Sequence, residues 1–180
     1  LMDPNNPEKP TFDRGLMAAY APGSPFKMMN ALIGLQENVI TTQTHFYCYG
    51  GYRYGNRASE FMGCHCGIFG RPIQLKTAIA KSCNSYFSNT YKGIIEKNNN
   101  PSKGLDNWHN HIASFGLGNF LGYDLPAGQK GFIPKGKFYD DAYPNKTHIE
   151  DWLILGTCAD LIALNNTNVT INQFALEQNL

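Results

Sequence analysis

Tyr20-Ala-Pro-Gly-Ser24-Pro-Phe-Lys27 runs without a break into the apolar stretch Met28-Met-Asn-Ala-Leu-Ile-Gly-Leu35. Pro22-Gly23 is a turn dipeptide, Ser24 is a favoured helix N-cap, and Pro25 has the fixed φ that suits a first helical position. The pattern predicts a helix from Pro25 to near Asn38. Lys27 follows Ser24 by one turn, so its amine can reach the serine hydroxyl. That hydroxyl also stands at the positive end of the helix dipole, where a developing oxyanion is favoured.

A serine hydroxyl is a weak nucleophile at neutral pH and needs a base beside it. A lysine serves only where burial or nearby positive charge leaves part of it neutral. Ser-x-x-Lys at a helix start can meet that need, but a capping serine followed by a surface lysine has the same pattern. The tetrapeptide alone does not decide between them.

The rest of the chain sets the frame. At 180 residues it fits one domain with a sizeable core, or part of a larger one. With 42% hydrophobic and 13% aromatic residues, global disorder is excluded. A net charge of +1 with dispersed basic residues gives no footprint for nucleic acid. No run of about eighteen apolar residues occurs that would span a bilayer as a helix. No signal peptide is read, and the start Leu1-Met-Asp-Pro is expected to be an interior cut.

Five cysteines are present: Cys48, Cys64, Cys66, Cys83 and Cys158. Cys64-His65-Cys66 with Cys48 and His45 invites a zinc reading, but ligands one residue apart strain a tetrahedral site, so no metal is expected. A disulfide from Cys48 to Cys64 or Cys66, closing about sixteen to eighteen residues, is expected if the domain is extracytoplasmic.

Residues 1–14 read as loop, and Phe12 to Tyr20 as a short segment leading to the turn. Val39 to Tyr47 is rich in β-branched and aromatic residues and predicts a strand or extended arm. Cys48 to Gly70 predicts a loop or small hairpin. Residues 73–97 predict two helices joined at Ser82-Cys83-Asn84, which would form an exposed corner. Asn98-Asn-Asn-Pro101 ends the second of these, and Leu105 to Phe115 predicts a third with Trp108 and Ile112 inward. Glycine-punctuated loops and short strands follow at 114–122 and 128–131. Trp108, Phe115 and Phe120 are expected in the core, Asp124 in a turn, and Cys83 as a small packed side chain. His45, His109, His111 and His148 are expected as surface or capping groups.

Four blocks now stand in order: Pro-Gly-Ser24-Pro-Phe-Lys27, Ser82-Cys83-Asn84-Ser-Tyr-Phe, Phe115-Gly-Leu-Gly with Asp124-Leu-Pro, and Gly131-Phe-Ile-Pro134. In order and spacing they resemble the class B penicillin-binding proteins, most of all the elongation type, over roughly residues 10–152. Ser-x-x-Lys with a second Ser-x-Asn motif and Lys-Thr-Gly is the signature of penicillin-binding proteins and β-lactamases. The resemblance implies an α/β penicillin-binding transpeptidase fold of the serine β-lactamase type. The chain would carry mainly its helical lobe and lack most of its five-stranded sheet. It implies Ser24 as the acylated nucleophile, Lys27 as its base and Ser82 as a proton relay to the leaving amine. Asn84 would bond the substrate backbone or orient the lysine. The function implied is D,D-transpeptidation of peptidoglycan in cell-wall elongation through a serine acyl-enzyme, with β-lactams as inhibitors and no cofactor. The partners implied are D-Ala-D-Ala stem peptides and other elongation proteins. The place implied is the bacterial envelope, on the periplasmic side of an inner-membrane anchor.

Two departures qualify this. Lys76-Thr77 is followed by Ala78 and Lys146-Thr147 by His148, so neither makes Lys-Thr-Gly. In the family that motif supplies the second oxyanion amide and a cation for the substrate carboxylate, so little or no transpeptidation is expected of this chain. From Leu153 to Leu180 the sequence leaves the family pattern, and a frame change or gene break near Trp152 would produce such a tail. The domain is therefore read as 1–152, with a divergent tail at 153–180 that forms a helix at 152–164 or stays poorly ordered. A non-catalytic binding or scaffolding fragment is the alternative, with a serine β-lactamase or β-lactam sensor behind it. An incomplete sheet would leave an apolar helix face and a strand edge uncovered.

Overall fold

A computed structural model describes residues 8, 22–54, 58, 61–120, 128 and 130–142. The readings made for 1–14, 12–20, Asp124, Lys146-Thr147, His148, Cys158 and the 152–180 tail lie outside these residues.

Pro22-Gly23 turns the chain into a single 3₁₀ turn, Ser24–Phe26, which continues as α1, Lys27–Gln36. Gly23 adopts φ 61°, a conformation open to glycine at little cost. Gly23, not Ser24, is the residue that caps this start. The expected N-cap role of Ser24 is corrected: Pro25 falls within the first two helical positions, Ser24 is itself the first, and its hydroxyl makes no cap hydrogen bond.

After α1 the chain stays irregular through Val39–Thr44 and then forms β1, His45–Tyr49, later than the sequence pattern suggested. The small hairpin expected next is β2, Gly51–Arg53, antiparallel to β3, Phe61–Gly63. Strand β4, Phe69–Gln74, pairs antiparallel with β1 in the register Phe46 to Ile73, with a break between Tyr47 and Tyr49. Thus Ile73 and Gln74 are strand, not helix. Two helices then follow as expected: α2, Leu75–Ala80, and α3, Asn84–Glu96. Helix α4, Pro101–Ser114, starts at Asn100, whose side chain accepts the Lys103 N–H at 3.0 Å. Helix α5, Gly136–Ala142, was not anticipated from the sequence.

Helix α3 organises the core because its two ends serve two apolar clusters. Tyr91, Ile94 and Ile95 join Phe26, Ile33, Leu105, Trp108, Ile112 and Tyr139. Tyr86 and Phe87 join Ala31, Ile40, Ile73, Leu75, Ala78 and the cysteines. Trp108 and Ile112 are fully buried, as expected. Each such side chain contributes roughly 1.5–3 kcal/mol by leaving water. The buried Asn30 accepts the Trp108 indole N–H at 2.9 Å, which pins α1 to α4. Close approach of α3 and α4 depends on Gly104: a Cβ there would fall 2.0 Å from the Ile95 carbonyl oxygen.

An ionic tie closes the far end of α1. The Glu37 carboxylate meets Lys97 Nζ at 2.7 Å and His111 Nε2 at 2.6 Å, so His111 is a bridging group between helices and not a plain surface histidine. Hydrogen bonds from Lys97, Asn107 and His111 hold its pKa down at about 2.

The blocks at 115–118 and 131–134 meet each other: a Cβ at Gly118, φ 77°, would lie 2.7 Å from Ile133 Cδ1. Phe115 and Phe120, expected in the core, are instead 46% and 65% exposed, because the chain turns outward just past α4 through Gly116 at φ 90°. The expected uncovered helix face is present on α1, where Met28 and Leu32, one turn apart, are 49% and 52% exposed. No helix among the described residues is long and apolar enough to cross a membrane.

Candidate active site

The start of α1 and the corner between α2 and α3 face each other. Lys27 Nζ lies 3.2 Å from Ser24 Oγ, 2.9 Å from Ser82 Oγ, 2.9 Å from the Ser82 carbonyl and 2.5 Å from Asn84 Oδ1. The Ser82 hydroxyl closes the triangle by donating to Ser24 Oγ at 3.1 Å. All four residues named from the sequence therefore share one site, and one amine touches the other three.

Local geometry explains how. Because Ser24 opens the 3₁₀ turn without capping it, its hydroxyl is left to face the amine one turn along. Ser82 sits in the left-handed region at φ 49°, an uncommon state for a serine. This twist aims both its carbonyl and its hydroxyl at Lys27. Such local strain is characteristic of functional corners and is held by the packing around it. Here the packing is Cys83, fully buried between the two polar residues as expected.

Asn84 is held from a second direction. Its Nδ2 donates to the Gly63 carbonyl at 2.8 Å, and its backbone N–H donates to Cys64 Sγ at 3.2 Å. The amide is thus oriented with its oxygen toward the lysine. One residue on, the Ser85 hydroxyl donates to the Gly51 carbonyl at 2.5 Å, so the β2–β3 hairpin braces the first turn of α3. Sequence reasoning missed this support. Its signal was the Cys64-His65-Cys66 run, but only the fold shows that the run reaches Asn84.

The same hairpin brings four thiols together. The sulfurs of Cys48, Cys64, Cys66 and Cys83 all lie within 4.8 Å of one another. Four sulfurs each about 2.3 Å from a tetrahedral centre would be about 3.8 Å apart. That is the separation of Cys64 from Cys83 and of Cys66 from Cys48. The set suits a soft tetrahedral cation such as zinc. Cys64 and Cys66 still stand one residue apart, yet their sulfurs reach a common centre, and Cys83 from another element completes the set while His45 lies exposed on β1. The expected disulfide at Cys48 is also corrected, since all four are free thiols. Burial pushes the Cys64 thiol up, but N–H groups of Ser85, Cys66 and Asn84 and the Cys66 thiol outweigh it and bring it down to about 7. Burial raises Cys66 and Cys83.

Lys76 and Thr77 lie exposed on α2, in the helix where the sequence put them.

Comparison with known proteins identifies the family. Residues 2–148 match the penicillin binding protein transpeptidase domain family. The chain is 27% identical over 130 residues to the peptidoglycan D,D-transpeptidase MrdA of Acinetobacter baumannii, covering 72% of this chain and 18% of that protein. It is 27% identical over 128 residues to penicillin-binding protein 2A of Bacillus subtilis, covering 65% of this chain and 17% of that protein. The chain thus spans under a fifth of the length of these relatives. Its fold superposes on Pseudomonas aeruginosa PBP2, solved in complex with WCK 5153, with a TM-score of 0.66 at 24% identity, covering 84% of this chain and 32% of that one. For Helicobacter pylori PBP2 in complex with MreC the TM-score is 0.68 at 21% identity, covering 86% and 26%. The chain belongs to the penicillin-binding protein transpeptidase domain family.

Proposed function

We propose that this chain carries the acylation half of a peptidoglycan D,D-transpeptidase, with Ser24 as nucleophile. The observation that supports it is the convergence of Ser24, Ser82 and Asn84 on one lysine amine. Lys27 takes the Ser24 hydroxyl proton as the oxygen attacks the carbonyl of a D-Ala-D-Ala stem peptide. The backbone N–H of Ser24 provides one donor for the oxyanion. Ser82, hydrogen-bonded to both Ser24 and Lys27, returns the proton to the departing D-Ala amine as the acyl-enzyme forms. Asn84 fixes the lysine through its side-chain oxygen and leaves that site oriented by Gly63. A β-lactam follows the same path and stays on Ser24.

Neither Lys-Thr pair of this chain is followed by glycine, so the second oxyanion donor and the cation for the substrate carboxylate are not among the residues assigned roles here. The reading places the working protein in the bacterial envelope, among other proteins of cell-wall elongation. A fluorescent penicillin tests it. A band that survives denaturation and is lost in Ser24→Ala supports acylation. No band at high concentration supports a non-catalytic role, and rapid turnover of a chromogenic cephalosporin would point to a hydrolase.

A further inference from the structure

Asn84 meets Lys27 through one end of a nearly symmetric group. The amide oxygen and nitrogen have almost the same shape and the torsion that exchanges them is soft, so the partner on the far side decides which end faces the amine. That partner is the Gly63 carbonyl, which accepts from Asn84 Nδ2 at 2.8 Å and leaves Oδ1 for the lysine. Gly63 closes β3, and among the described residues β3 pairs only with β2. A ribbon of two three-residue strands is marginal by itself, so its place beside the site needs an anchor.

Ser85 supplies one. It is 1% exposed on the first turn of α3, and its hydroxyl donates to the Gly51 carbonyl. Gly51 stands opposite Gly63 in the ribbon, and beside them the Cys64 N–H donates to the Gly50 carbonyl at 2.8 Å. The strands approach so closely there that a Cβ on Gly51 would lie 2.3 Å from the Met62 carbonyl oxygen. A shift at Gly51 is therefore passed on to Gly63.

We infer that Ser85 is a positioning residue for acylation: its hydroxyl holds the β2–β3 ribbon where the Gly63 carbonyl keeps the Asn84 oxygen on Lys27. The inference rests on the acylation reading above. The path starts and ends on neighbouring residues of α3 but runs through the hairpin, so Ser85 acts on the lysine by way of Asn84. Ser88 supplies the comparison. It lies one turn along the same helix, is equally buried, and its hydroxyl has no hydrogen-bond partner among the described residues. Removing either hydroxyl takes the same atom from α3, but only one of the two cuts the path.

The experiment measures Ser24 labelling over a range of fluorescent-penicillin concentrations in the parent chain, in Ser85→Ala, Gly51→Ala, Ser88→Ala and Asn84→Ala, and in Ser85→Ala combined with Asn84→Ala. Ser85→Ala is expected to lower the first-order labelling rate at saturation about tenfold, as a misplaced group does, with the half-saturating concentration unchanged. Gly51→Ala disturbs the ribbon from its own side; it is expected to give a loss of the same order and carries the test if Ser85→Ala does not fold. Ser88→Ala is expected to label at the parent rate. In the Asn84→Ala background, Ser85→Ala is expected to cost nothing further, because the path it cuts is already open.

A parental rate in Ser85→Ala, a loss confined to the half-saturating concentration, or a second loss of about tenfold in the double variant would overturn the inference. So would an equal loss in Ser88→Ala, which would make the effect one of helix stability. A parent chain that does not label contradicts the acylation reading instead, and solvent exchange of the Asn84 side-chain amide protons then decides the brace. Faster exchange in Ser85→Ala than in Ser88→Ala supports it, and equal rates overturn it.

Discussion

Lys27 Nζ and Asn84 Oδ1 lie 2.5 Å apart although fifty-seven residues separate them in the chain. That contact joins the two halves of the site: the first turn of α1 and the first turn of α3. On the proposed reading one half holds the nucleophile and the other fixes its base, so neither would do acyl chemistry alone.

Lys27→Arg keeps the positive charge and the reach but removes the base, because a guanidinium is not deprotonated in a protein. The rate of penicillin labelling should fall by about 10²–10⁴, the usual worth of a positioned base. Circular dichroism should be unchanged, as Lys27 is only partly buried.

Asn84→Ala removes the acceptor for Lys27 and the donor to the Gly63 carbonyl together. The labelling rate is expected to drop about 10–100-fold, a misplacement effect and not a lost nucleophile. Full-strength labelling in this variant would place the asparagine outside the acylation step.

Glu37 links stability to acid. Its folded pKa of about 2 is below the reference value of 4.5, so its contribution is complete above pH 4.5 and is lost as pH falls toward 2. At neutral pH solvent screening holds the tie to on the order of 1 kcal/mol, well under the full shift. Urea unfolding of Glu37→Gln should show that loss at neutral pH, with the difference from the parent chain shrinking as the buffer approaches pH 2.

Trp108→Phe keeps most of the ring but leaves the buried Asn30 oxygen without its indole donor. A loss of about 1–3 kcal/mol is expected by denaturant unfolding. Gly104→Ala should cost at least as much, since its new methyl group meets the Ile95 backbone at 2.0 Å and backbone cannot yield cheaply.

The sequence carried the site further than the fold. Ser24 and Lys27 are one turn apart, so their contact follows from helix geometry, and the 81–83 break between α2 and α3 was legible in the polar interruption of an apolar pattern. Trp108 and Ile112 were readable from their spacing of four. What could not be read was set by tertiary contact: β1 starts late because its partner β4 decides where pairing begins, and Phe115 points outward because a glycine turn overrides its hydrophobicity. The thiol cluster is the clearest case. Its members come from β1, the segment after β3 and the start of α3, and only the folded hairpin brings Cys83 to the other three.

On the proposed reading Ser24 forms the acyl bond. The direct measurement is tandem mass spectrometry of the chain after long incubation with a β-lactam at high concentration, with the modified residue located by peptide sequencing. A single added acyl group on Ser24 is expected, absent in Ser24→Ala and much reduced in Lys27→Arg. An unmodified chain, or the group attached to any other side chain, would contradict it.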